Sequence, residues 1–157
     1  MPVSEASGPA LPAGKLRQTV TYLEMMSAPP VVFGGAADDI CLEPPVRLEP
    51  ETYRELYRAV GERWLWWERL ALSDADLAAI LADPRVEIRL LRADGDIAGY
   101  SEIDRRANDH ANAGAVEIAF LGLKPAFTGR GLGRLLLVET LRRAWTDPQP
   151  EIGRAHV

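Results

Sequence analysis

The chain has 157 residues, 47% of them apolar and 26% charged, the balance of one globular domain large enough to bury a core. Its formal net charge of −5 argues against nonspecific nucleic-acid binding and leans toward a cationic or amine-bearing partner. A single cysteine, Cys41, excludes an intramolecular disulfide and is expected to be a small apolar filler, and two histidines, His110 and His156, leave too few ligands for a metal cluster. No run approaches the length of a membrane span. The N-terminus has no basic residue before Lys15 and no apolar core, so it does not read as a signal peptide, and the expected compartment is cytoplasmic.

Residues 1–17, small and rich in Pro and Gly as far as Gly14, read as a disordered tail. Gln18 to Met25 alternates with strand-favouring residues and predicts a first strand. Ser27 to Pro45, with its four prolines, predicts a loop in which Val31-Val32-Phe33 should dock. A helix starts at Leu48-Glu49-Pro50, its buried stripe formed by Tyr53, Leu56, Tyr57 and Val60. Trp64-Leu65-Trp66-Trp67 follows, holding three of the four tryptophans, and reads either as packing or as one wall of a ligand pocket. Ser73-Asp74-Ala75-Asp76 has the pattern of a capping box and opens a short helix, Asp74 to Leu81, closed by Asp83-Pro84. Val86 to Arg92 and Ile97 to Arg105 both alternate, and Asp94-Gly95 between them is a hairpin signal. Arg106 to Gly114 is a polar loop.

The most informative stretch comes last. Val116 to Leu123 is apolar except for Glu117 and Gly122, which predicts a strand buried over most of its surface. A glycine-rich turn, Gly129-Arg130-Gly131-Leu132-Gly133, then leads into an amphipathic helix ending near Trp145. Strand, glycine turn and helix in that order aim backbone N–H groups and a helix dipole at one spot, where an anion binds. A P-loop is excluded because Gly133 is followed by Arg134-Leu135, with neither the lysine nor the hydroxyl. The dinucleotide fingerprint is excluded because Arg134 and Leu136 stand where its last glycine would be.

Thr128-Gly129-Arg130-Gly131-Leu132-Gly133 resembles the acyl-coenzyme-A signature of the GNAT N-acetyltransferases, Gln/Arg-x-x-Gly-x-Gly/Ala, with Thr128 departing from the usual Gln or Arg. The resemblance covers roughly residues 18–145 and implies an α+β fold, a mixed and mostly antiparallel sheet flanked by helices. It implies transfer of an acetyl group from acetyl-CoA to a primary amine of a small molecule or protein, without metal. The other function class left open is a non-catalytic coenzyme-A-binding module or an inactive fragment. Thr128, Gly129, Arg130, Gly131, Leu132, Gly133 and Arg134 are the expected pyrophosphate cradle, with Leu121 and Leu123 as further coenzyme-binding positions. Oxyanion donation falls to a main-chain N–H near Phe120 or Leu121. Glu117, in a Glu-Ile-x-Phe run similar to that of the histone-acetyltransferase branch, is the expected general base. Trp64, Trp67, Tyr100 and Glu102 are the expected acceptor-site residues.

Members of the family continue past the coenzyme-binding helix with a further strand, a helix carrying the usual tyrosine acid, and a terminal hairpin. Here residues 146–157 follow, and their sequence has no strand pattern. The terminal IGRAHV reads as translated sequencing adapter, so this tail is expected to be non-native or disordered and the C-terminal strands missing. The Val116 to Leu123 strand would then be left as an open edge.

Overall fold

The computed structural model describes residues 12–17, 19–30, 39–106, 115–146 and 152–156. In chain order the elements are β1 (Tyr22–Met25), β2 (Ile40–Leu42), α1 (Pro50–Gly61), α2 (Asp74–Ala82), β3 (Val86–Ala93), β4 (Asp96–Asp104), β5 (Ala115–Leu123), α3 (Leu132–Ala144) and β6 (Ile152–His156). Short 3-10 turns occupy Glu62–Trp64 and Pro125–Phe127. The strands form one sheet in the order β1-β6-β5-β4-β3-β2, antiparallel throughout except for the parallel β5–β6 pair.

The hairpin between β3 and β4 turns on Asp94 and Gly95, both at positive φ (54° and 81°), the geometry that matches the twist of the flanking strands. Alternation along β4 is interrupted at Ala98, where Leu91 stands opposite Gly99 but Arg92 opposite Ile97, so this residue bulges and faces away from the side that Tyr100 takes. Tyr100 joins a core cluster with Tyr53, Tyr57 and Val60 of α1 and Leu77 and Leu81 of α2. Ala98 joins a second cluster on the other face, with Leu132, Leu135 and Leu136 of α3. The helices therefore cover both faces of the sheet, and β4 and β5 run through the middle.

Local chemistry fixes the helix ends. The predicted stripe of α1 is buried as expected: Tyr53, Leu56, Tyr57 and Val60. Ser73 caps α2 by accepting from the Asp76 N–H at 3.1 Å, and its hydroxyl donates to the Asp76 carboxylate. Arg47 donates to the carbonyls of Leu81 and Asp83 at the other end of α2. On α3, Leu137 lies outside the buried stripe and is exposed.

Several expectations are corrected. β1 begins at Tyr22 and is shorter than the alternating run. The proline-rich loop contains a strand, β2, that pairs with the end of β3. Cys41 on β2 is exposed, not a core filler. Residues 152–156, whose sequence has no strand pattern, pair through backbone groups with both β5 and β1. Ladder hydrogen bonds need main-chain donors and acceptors, which any stretch free of proline supplies. Val31-Val32-Phe33 and residues 107–114 lie outside the described residues.

Candidate functional site

β5 is irregular where the site is built. Glu102 of β4 stands opposite Phe120 and Ile103 opposite Ile118, so Ala119 is an extra residue and bulges the strand. The bulge puts both Ala119 and Phe120 into the cluster under α1. It also coincides with the end of the β6 pairing, which runs from Ala115 to Ile118 and stops. From Ala119 to Leu123, β5 has no ladder partner on that side among the described residues. An open strand edge thus leads toward the glycine turn.

The turn is shaped for an anion. Gly129 and Gly131 have φ of 78° and 77°, and a Cβ built on either meets nothing within 4 Å. Gly131 is the N-cap of α3 and supplies no side-chain cap, so the first N–H groups of the helix face outward beside it. Gly133 lies against Leu123, its Cβ position 3.7 Å from the Leu123 side chain, which brings the helix start close to the strand. Leu121 and Leu123 pack beneath α3, where they hold the turn from below. Thr128 turns its hydroxyl inward and donates to the Pro125 carbonyl at 2.8 Å.

The two cradle arginines differ. Arg130 makes a two-pronged pair with Asp94 in the β3–β4 turn, at 2.5 and 3.0 Å, and lies over the Phe127 ring. The pairing raises the Arg130 pKa and lowers that of Asp94. Arg134 is exposed and has no ion-pair partner among the described residues.

On the α1 side of the sheet lies a set of rings: Tyr53, Tyr57, Trp66, Tyr100 and Phe120, with centroid separations of 5.0 to 6.5 Å. Val116, in the α3-side cluster, fixes the strand's phase, so Glu117 falls on the α1 side and is half-buried. Tyr100 and Glu102, expected in the acceptor site, are instead fully buried. Glu102 accepts from the Tyr53 hydroxyl and from Arg69 Nη2, both at 2.5 Å. Burial, reinforced by Glu102, raises the Tyr53 and Tyr100 hydroxyl pKa values far above the ordinary range, so both stay protonated. Arg69 also covers the Phe120 ring at 5.1 Å. Nothing in the sequence marks Arg69 or the bulge at Ala119, because both depend on contacts distant in the chain.

The tryptophan run divides. Trp66 packs against Tyr57 and Phe120, and its ring fills the space above Gly61, where a Cβ would come within 2.2 Å of it. Trp64 and Trp67 are 66% and 59% exposed. They flank Trp66 along a cleft of about 820 Å³ that includes none of the cradle residues.

The sequence profile of the acetyltransferase (GNAT) family matches residues 47–148, the greater part of the chain. The fold is similar to that of a GCN5-related N-acetyltransferase from Kribbella flavida, with a TM-score of 0.57 and 14% identity over 87% of this chain and 47% of that one. It is similar to an aminoglycoside acetyltransferase from an uncultured soil metagenomic sample, solved with sisomicin, with a TM-score of 0.54 and 12% identity over 71% of this chain and 73% of that one. An aminoglycoside N-acetyltransferase in complex with CoA gives a TM-score of 0.50 and 20% identity over 75% of each chain. The present chain spans about half the length of the Kribbella protein. A search of curated proteins gives no match. With an anion-shaped glycine turn following a bulged central strand, and with that profile match, the chain belongs to the acetyltransferase (GNAT) family.

Proposed function

We propose that the protein transfers an acetyl group from acetyl-CoA to a primary amine of a small molecule or protein. The observation that carries this reading is the junction of β5 and α3: a strand edge with no ladder partner among the described residues runs from Ala119 to Leu123 and ends at a turn with two left-handed glycines and an uncapped helix start. That junction fits a ligand with amide groups along one part and a pyrophosphate at the other. The N–H groups from Thr128 to Gly133 hold the phosphates, Arg134 adds charge, and the β5 edge around Leu121 and Leu123 pairs with the amide-bearing arm. Bound there, the thioester supplies an acyl carbon open to attack.

The protein's own groups then have three tasks. An N–H at Phe120 or Leu121, on the open edge just past the bulge, donates to the oxygen that becomes negative. Glu117, half-buried on the α1 face, takes the proton of the incoming amine directly or through water. The packed rings around Phe120 keep the strand still while this happens. The transfer breaks a C–S bond and forms a C–N bond; the amine gives up a proton and the leaving thiolate takes one up.

The test is thiol release from acetyl-CoA by the 157-residue chain with a panel of primary amines. Amine-dependent release supports the transferase. Coenzyme binding with no release from any amine would instead make the chain a binding module.

A further inference from the structure

The cleft beside Trp66 is lined by apolar surface and by few charges. Trp64 and Trp67, both exposed, line it, and Arg17, Arg58 and Glu62 are its charged residues. Arg58 and Glu62 sit one turn apart at the end of α1, yet make no ion pair with each other or with any other described residue. Trp66 forms the inner wall: its ring meets Phe120 at 5.1 Å and lies 3.5 Å from the Cβ position of Gly122. The cleft therefore opens on the α1 face, one ring's thickness from the bulged part of β5. Leu65, between Trp64 and Trp66, is held at a left-handed φ of 59°, which turns the chain sharply between the exposed ring and the buried one.

We propose that this cleft receives the acceptor, and that the acceptor is a molecule with one amine, an apolar or aromatic body, and a carboxylate. The inference rests on the transferase reading above and names its substrate class. The body lies on Trp64 and Trp67, the carboxylate pairs with Arg58, and the amine points past Trp66 toward β5. A polycation does not suit this lining. Repeated ammonium groups need several carboxylates, and Glu62 is the one acidic residue of the lining. The cleft thus separates this chain from an aminoglycoside site in spite of the shared fold.

Thiol release with L-phenylalanine, phenethylamine, glycine and spermidine tests the class. Phenylalanine should exceed each of the others in kcat/KM by about tenfold or more, since it alone offers ring, carboxylate and amine. Arg58→Met should lower phenylalanine about tenfold, toward phenethylamine, and leave phenethylamine unchanged. Spermidine as the best acceptor, or an equal loss for both aromatic amines in Arg58→Met, would overturn the proposal. A second readout needs no turnover. N-acetyl-L-phenylalanine should quench tryptophan fluorescence of the wild-type chain, and the double variant Trp64→Ala/Trp67→Ala, which removes only exposed rings, should lose the quench. Absence of a wild-type quench overturns the cleft assignment whatever the turnover. Quench without thiol release from any amine keeps the cleft and sinks the transferase reading. Sedimentation showing a dimer that buries both tryptophans would also overturn it, because the cleft would then be a contact between copies.

Discussion

At the scale of single residues, the proposed catalysis and binding turn on where charges sit relative to β5. Glu117→Gln retains shape and most hydrogen bonding but cannot accept a proton. Coenzyme binding should be nearly unchanged, while the acetylation rate at neutral pH falls by roughly 10²–10⁴-fold, the usual worth of a positioned base. The deficit should narrow at high pH, where the amine is already neutral. A loss that is constant with pH would assign Glu117 to positioning, and no loss at all would make it ordinary strand surface. Asp94 acts in the opposite sense. It pairs with Arg130 and puts a negative charge beside the turn proposed to hold the phosphates. Asp94→Asn, which tolerates the left-handed φ of this position, should tighten CoA binding about two- to fivefold, the worth of an exposed ion pair. Calorimetric titration reads this directly; unchanged affinity would mean that Arg130 contributes no charge to the phosphates.

Between elements, two buried arginine–carboxylate contacts tie the helices to the sheet. Arg69, in the connection between α1 and α2, pairs with the fully buried Glu102 of β4. Removing one partner leaves the other charged in a dry environment. Arg69→Met should cost about 3–5 kcal/mol in chemical denaturation, and Arg69→Met/Glu102→Gln should recover a large part of it. The second contact joins β3 to the end of α3. Glu87 accepts from Arg143 at 2.7 and 3.0 Å and from Arg105 at 3.2 Å, while Arg105 also donates to the last carbonyls of α3. Burial acts to raise the Glu87 pKa, but the hydrogen bonds and charges of the two arginines outweigh it and hold the carboxyl below its ordinary value. A carboxyl depressed in the folded state stabilises the fold above its unfolded pKa, about 4.3, and loses that contribution as pH falls through its lower folded value. Glu87→Gln should therefore lower the Tm at pH 6–8 and converge on the wild type in acid. A Tm difference independent of pH would show that the carboxylate's charge is not what matters there.

Across the whole molecule, the elements with strong local periodicity are legible in the amino-acid sequence. The α1 stripe, the Asp94-Gly95 hairpin and the β5–turn–α3 order all follow from spacing and turn chemistry, and the fold has each of them. What the sequence hides depends on pairing at a distance. β2 is three residues long and has no alternating run to mark it. β6 is recruited through backbone groups, so the expected open edge of β5 is covered over Ala115–Ile118 and, among the described residues, open only beyond the bulge. The bulge at Ala119 is a register mismatch between two strands and leaves no trace in either one. The same reason misplaces Tyr100 and Glu102: alternation puts them on one face, and only the position of α1 shows that face to be the inner one. The tryptophan run mixes both readings, with Trp66 packed on the core and Trp64 and Trp67 on the surface.

The central claim is that the turn between β5 and α3 binds the pyrophosphate of coenzyme A, and one titration addresses it most directly. Calorimetry of CoA into the wild-type chain should give saturable binding that weakens with added salt, as a phosphate contact requires. Gly131→Asp puts a side chain and a negative charge into the space now left open at φ 77°, against the first N–H groups of α3. Binding should then be abolished while the thermal melt stays cooperative. Wild-type affinity in a folded Gly131→Asp would contradict the account, since the cradle would then lie elsewhere.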